Sequence, residues 1–252
     1  MERLYQSILK QWRESEREWL RGWRSTHQKI AWTQMNWGSL DCKFINAWDQ
    51  FIKLTCCSAP PDWGIASQQM SSKKSNKFWI TVTFICNQTS TKKWPIFYIG
   101  KSKQPRCFKK KKPSEYGFHY CNNKMAWMTA KFFEEWIKEF NQQFQCKNQH
   151  VALTLNNFAG HKITYEPTNI ELIFFEPNLT PYIQPLDARI ICCSKEHYQK
   201  AFCAHAVNMD EAGEEDVYKI NLLEVMLMVR QAWDAVGAET IANCWKHTGI
   251  TE

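Results

Sequence analysis

Two apolar runs in the second half of the chain, 151–155 (VALTL) and 170–175 (IELIFF), each lead into polar side chains. The first run ends at Asn156-Asn157, with His161 close behind. The second is followed by Gln184-Pro185-Leu186-Asp187, where a helix is expected to begin. Buried strands that end in polar groups present them at one edge of a sheet, where α/β proteins build their sites. If this edge holds a metal ion, a carboxylate is expected at the end of the first of these strands. The chain has an amide there, Asn156, and that residue separates an active site from an inactive one.

The elements that position these residues follow from periodicity. Residues 78–86 (FWITVTFIC) are β-branched and aromatic and read as a strand. A polar turn, 87–93, returns the chain into a second strand at 94–99. Residues 127–144 read as an amphipathic helix, with Thr129 as N-cap and Phe132, Phe133, Trp136, Ile137, Phe140 and Phe144 on its apolar face. A helix from Asp187 past Tyr198, an acidic loop at 208–216, and helices at 220–236 and 238–247 complete the second half. Upstream, Leu4, Ile8, Trp12, Trp19, Leu20 and Trp23 fall near helical spacing, so 1–37 reads as one or two helices with a docking face. Residues 38–76 are irregular, with one strand and then a long loop. Hairpin strands followed by strand-helix-strand units imply a mixed sheet with helices on its faces. Three segments are expected: a helical N-terminal extension (1–37), an α/β domain (38–205) and a helical C-terminal appendage (206–252).

The chain carries 32 basic and 25 acidic residues, a net charge of +7, which is compatible with a polyanionic partner. The excess is concentrated. Between 101 and 112, seven of twelve residues are basic: Lys101, Lys103, Arg106, Lys109, Lys110, Lys111 and Lys112. This run reads either as a solvated loop or as a surface for the nucleic-acid backbone, and it also fits a nuclear import signal. Eleven cysteines are placed without any CxxC pair, and two pairs are adjacent, Cys56-Cys57 and Cys192-Cys193. That pattern gives no support to a zinc ribbon and points to reduced intracellular thiols. No apolar run reaches the length of a membrane span.

Seven segments together resemble the pogo/Tigger/centromere-protein-B group of DDE-type transposases, especially the fungal copies. They are APPDWGIA (59–66), NKFWITVTFICN (76–87), FYIGKSKQPRCFKK (97–110), YCNNKMAWMTAKFFEEWIKEF (120–140), LNNFAGH (155–161), NIELIFFEPNLTPYIQPLDARII (169–191) and INLLEVMLMVRQAWDAVGAETIANCWKHTGI (220–250). They cover most of 59–250 in the family's order. The resemblance implies an α/β, RNase H-like (retroviral integrase-type) mixed sheet flanked by helices. It also implies a nuclease and strand-transfer site in which three acids hold two Mg²⁺ or Mn²⁺ ions, a DNA partner and a nuclear location. Two divalent ions activate the attacking water and stabilise the leaving oxygen of an in-line displacement, and hard cations require oxygen ligands.

Carried over position by position, the third acid falls on Asp187 in QPLD and the second on Asn156, with thirty residues between them. The first acid aligns with Trp48 in INAWDQF, one residue before Asp49. A one-residue slip in a strand turns a side chain to the opposite face, so only a bulge brings Asp49 into the site. The expected ligand and catalytic set is therefore Asp49, Asn156 and Asp187. His161 is either an ordinary turn histidine or a group that orients a ligand. Gln184 either caps the Asp187 helix or does the same. The expectation from two displaced acids is a DNA-binding protein derived from a transposase, with metal binding and catalysis lost or severely reduced. Three alternatives remain: an active metal-dependent DNA endonuclease, an interaction module docking through the Trp-rich N-terminus, and a decaying transposon copy.

Overall fold

The computed structural model describes residues 43–55, 77–175, 183–214, 217 and 220–248, with backbone alone for 43–55 and 77–79. The expected N-terminal helices, the APPDWGIA segment and the long loop before residue 77 lie outside the described residues.

Six strands form one sheet: β1 (Lys43–Thr55), β2 (Lys77–Asn87), β3 (Phe97–Gly100), β4 (His119–Asn122), β5 (Val151–Leu155) and β6 (Ile170–Phe174). Their order is β4-β3-β2-β1-β5-β6. β2 runs antiparallel to both β1 and β3, whereas the pairs β3–β4, β1–β5 and β5–β6 are parallel. Every strand except β2 therefore points the same way, and five carboxyl ends meet one edge of the sheet.

The β2–β3 turn lacks an Asp-Gly pair, and Asn87 does its work. Its Nδ2 donates to the hydroxyls of Thr89 and Thr91 at 2.8 and 2.9 Å, and its Oδ1 accepts from the Lys92 amide at 2.8 Å. β4 was not legible in the pattern: it is four residues long and half-exposed, and its pairing with β3 defines it.

Helix α1 (Ala130–Gln145) covers one face of the sheet. Phe133, Ile137, Phe140 and Phe144 pack there with Ile85, Ile99, Leu153 and Leu155. Thr129 is its N-cap, accepting from the Phe132 amide. The other face carries α2 (Ile191–Glu211), α3 (Leu222–Asp234) and α4 (Ala238–Thr248). Phe84 of β2 packs on Trp233 of α3 with ring centroids 4.8 Å apart, and the Tyr98 hydroxyl donates to the Met226 carbonyl at 2.8 Å. The result is helix, sheet and helices in three layers. α2 runs through the boundary expected at 205/206 and absorbs residues 208–211, which the charge pattern marked as loop. It stops at Gly213, whose φ of 74° supplies the left-handed turn that closes a helix end. Among the described residues no helix is long and apolar enough to cross a membrane.

Candidate functional site

Asn156 directly follows β5 at the carboxyl edge. Its carbonyl accepts from the Phe158 amide at 2.8 Å and lies 3.3 Å from His161 Nδ1. Its side-chain Oδ1 is buried and has no hydrogen-bond partner. His161 is 1% exposed, and its ring lies tilted 4.6 Å from that of Phe133. It braces the turn after Asn156 from inside the core. A Cβ at Gly160 in that turn would force the Phe158 ring to shift and would stand 3.2 Å from the Met128 carbonyl.

Asp187 lies in a one-turn π-helix, Leu186–Ile190, that leads into α2. This turn packs against α4 and comes within 8 Å of β1 between Cα atoms. The backbone carbonyl of Gln184 accepts from the Asp187 and Ala188 amides at 3.1 Å each, and no side chain caps the turn. The Gln184 side chain is fully buried, and its Oε1 and Nε2 have no partner. Burial pushes the Asp187 carboxyl up to about 7, with Lys195 pulling weakly the other way. A carboxyl so placed is held by surroundings that supply too little positive charge.

The register of β1 bears on the first acid. Trp48 pairs with Phe84 and Asp49 with Thr83. Directly opposed residues of neighbouring strands share a sheet face. Phe84 faces α3, whereas Thr83 lines a small cavity with Phe133, Leu155 and His161 on the α1 side. Asn46 pairs with Thr154, so position 48 stands level with Asn156 two residues on. Position 48 thus belongs to the face of the Asp187 turn, and position 49 to the face of α1. The backbone brings position 48, Asn156 and the Asp187 turn to one region and sets position 49 behind the sheet.

The seven cations of 101–112 are all exposed. They stand on a built loop, anchored by buried Phe108 against Tyr116, Phe118 and Tyr120 at centroid distances of 6.1, 6.1 and 5.1 Å. Tyr120 also donates to the Ser102 carbonyl at 2.7 Å. The loop leaves the end of β3, so it rises from the same sheet edge as Asn156. Burial raises the Cys86 thiol to about 12 and the Cys244 thiol to about 11, the opposite of thiolate activation.

The family model described as DDE superfamily endonuclease matches residues 77–245. The chain belongs to the DDE superfamily. Its sheet, an antiparallel β1–β2–β3 ribbon extended by parallel β5 and β6 with helices on both faces, is the RNase H-like arrangement of that superfamily. This DDE domain is 26% identical over 206 residues to the CENP-B homolog protein 2 of Schizosaccharomyces pombe, covering 77% of this chain and 40% of that protein. It is 28% identical over 171 residues to the mouse Tigger transposable element-derived protein 4, covering 68% and 33%. The human Major centromere autoantigen B matches at 24% identity, covering 68% and 28%. The chain thus spans well under half of each of these relatives. Among solved structures, the Mos1 Strand Transfer Complex matches at a TM-score of 0.42 and 13% identity, over 81% of this chain and 50% of that one.

Members of the DDE superfamily use divalent metal ions. The residues at this site do not fit a pair of them. At the three positions that the family resemblance assigns, 48 and 156 carry Trp and Asn, and 187 alone offers a carboxyl. Among the described residues no group of three or more His, Cys, Asp or Glu side chains is gathered as a metal site.

Proposed function

We propose that this DDE domain binds DNA through its basic edge in the nucleus and that its metal-dependent strand cleavage is lost or severely reduced. The observation that carries the reading is the register of β1 and β5. It supports Trp48 and Asn156 as the occupants of the positions where the family's first two acids belong, with Asp49 displaced to the other face. The cost is electrostatic. Each lost carboxylate removes an attraction to a divalent cation of about 8 kcal/mol at 4 Å and an effective dielectric of 20, before desolvation. The basic loop supplies the DNA contact, because cations held outward on a rigid loop release counterions from a phosphate backbone.

A second reading, an endonuclease that still turns over with Asp49, Asn156 and Asp187, is favoured by one observation. Asn156 Oδ1 is an inward oxygen with no partner, available to a cation or water. Incubation with supercoiled plasmid and Mg²⁺ or Mn²⁺ separates the two. The expected outcome is salt-dependent retardation of the plasmid without nicking above buffer. Robust nicking that disappears in Asp187→Ala would overturn the proposal.

A further inference from the structure

The large hydrophobic side chains that stand exposed among the described residues fall in one turn, Met125 at 62% and Trp127 at 49%. The turn is rigid. Asn123 Oδ1 accepts from the amides of Met125 and Trp127 at 3.1 Å each, and its Nδ2 donates to the Trp127 carbonyl at 2.6 Å. Between them Ala126 adopts a left-handed φ of 55°, is fully buried, and accepts at its carbonyl from the Thr81 hydroxyl at 2.7 Å. A left-handed alanine costs on the order of 1–2 kcal/mol. The structure holds that strain in place while the two flanking side chains stay partly exposed.

The surroundings indicate what those side chains meet. The Asn123 amide donates to the Gly100 carbonyl at 3.1 Å, which fixes the turn to the root of the basic loop, beside exposed Lys101, Lys103 and Lys124. On the other side, the Met128 backbone abuts the Gly160 turn that follows Asn156. A preorganised indole and thioether therefore lie between a cationic loop and the end of β5. Aromatic side chains set among cations bind single strands, because every base has a face to stack while the cations take the phosphates.

We propose that Trp127, assisted by Met125, is a stacking platform for an unpaired base, so that this sheet edge prefers single-stranded or locally opened nucleic acid to intact duplex. The inference rests on the nucleic-acid-binding reading above and adds the conformation of the ligand to it.

The test is fluorescence anisotropy with the 252-residue chain, a labelled oligothymidine and a labelled mixed-sequence duplex, over a range of salt. Trp127→Ala is expected to weaken single-strand binding about tenfold more than duplex binding. Trp127→Phe restores most of the loss and Trp127→Leu, which keeps bulk but cannot stack, does not. The slope of single-strand affinity against salt stays the same in all three, since phosphate contacts are untouched. Equal losses on both probes, or none, sink the stacking role while duplex binding by the unaltered chain keeps the broader reading alive. Failure of the unaltered chain to bind either probe at low salt removes both. A change in self-association of Trp127→Ala by sedimentation, with nucleic-acid binding unchanged, assigns the patch to a protein contact and also overturns the proposal. The Phe and Leu variants carry the comparison if truncation to Ala unfolds the chain.

Discussion

Asp187 holds its proton up to about pH 7, well above its ordinary 3.8, because burial penalises the carboxylate more than Lys195 relieves it. The folded state therefore binds a proton that the unfolded chain releases near pH 4. That contribution to stability is complete below the unfolded value and is lost as pH rises through about 7. Above neutrality the fold must hold a buried anion or open to hydrate it. Asp187→Asn keeps the shape and removes the charge, so it should be more stable than the unaltered chain at pH 8, by up to about 4 kcal/mol, and about equal at pH 4. Urea titrations at the two pH values check this. A variant no more stable at high pH would show that a cation neutralises the carboxylate or that water hydrates it. The neighbouring prediction concerns Asn156. Restoring the acid with Asn156→Asp should raise Mn²⁺ affinity about a hundredfold by calorimetry, taking a third of the gross attraction between a carboxylate and a divalent ion. Unchanged affinity would mean that a carboxylate at this position does not help to hold the ion. Both residues were legible in the sequence because each lies next to a strand end or helix start. The shifted proton affinity of Asp187 was not, because its cause is the packing of segments far away along the chain.

At the scale of elements, the β2–β3 hairpin does more than reverse the chain. Lys93 reaches from it to α3 and donates to the carbonyls of Trp233, Asp234 and Val236 at 2.8, 2.7 and 3.0 Å. Those carbonyls close the carboxyl end of the helix, where the last groups lack helical partners and the dipole is negative. Burial lowers the lysine's proton affinity, and Asp234 partly restores it. Lys93→Ala should cost about 2 kcal/mol, since the part-buried Trp233 and Val236 carbonyls lose a charged donor, with the Val236 amide still on Trp233. Lys92→Ala, one residue away and exposed, should cost little. Thermal melts of the pair test the assignment, and equal effects would end it. Local periodicity identified both elements: strand, turn, and a helix running near 220–236. It did not reveal the bond between them, because Lys93 and its acceptors are some 140 residues apart and nothing in NQTSTKKW marks one lysine over the next. β4 was missed for a related reason. HYCN carries no alternating pattern, and its strand character comes from β3 alongside.

For the whole molecule, the question is whether the net charge of +7 or its placement governs binding. Five strands end at one edge, and that edge carries the Asn156 turn, the Trp127 turn and the cationic loop. α1 lies on a face of the sheet and bears its own exposed lysines, Lys131 and Lys138, with Lys147 just beyond its end. If net charge alone attracted nucleic acid, removing three lysines from either location would weaken binding equally. If the loop makes the contacts, each phosphate it neutralises contributes about 0.9 to the slope of log affinity against log salt on duplex DNA. Replacing Lys109, Lys110 and Lys111 with alanine should then flatten that slope by as much as about 2.7. The same charge change at Lys131, Lys138 and Lys147 should leave the slope close to its starting value, because those side chains stand outside the contact. Equal flattening in the two triple variants would show that the fold's common carboxyl edge has no special part in binding, and that the family's substrate surface has not persisted in this chain.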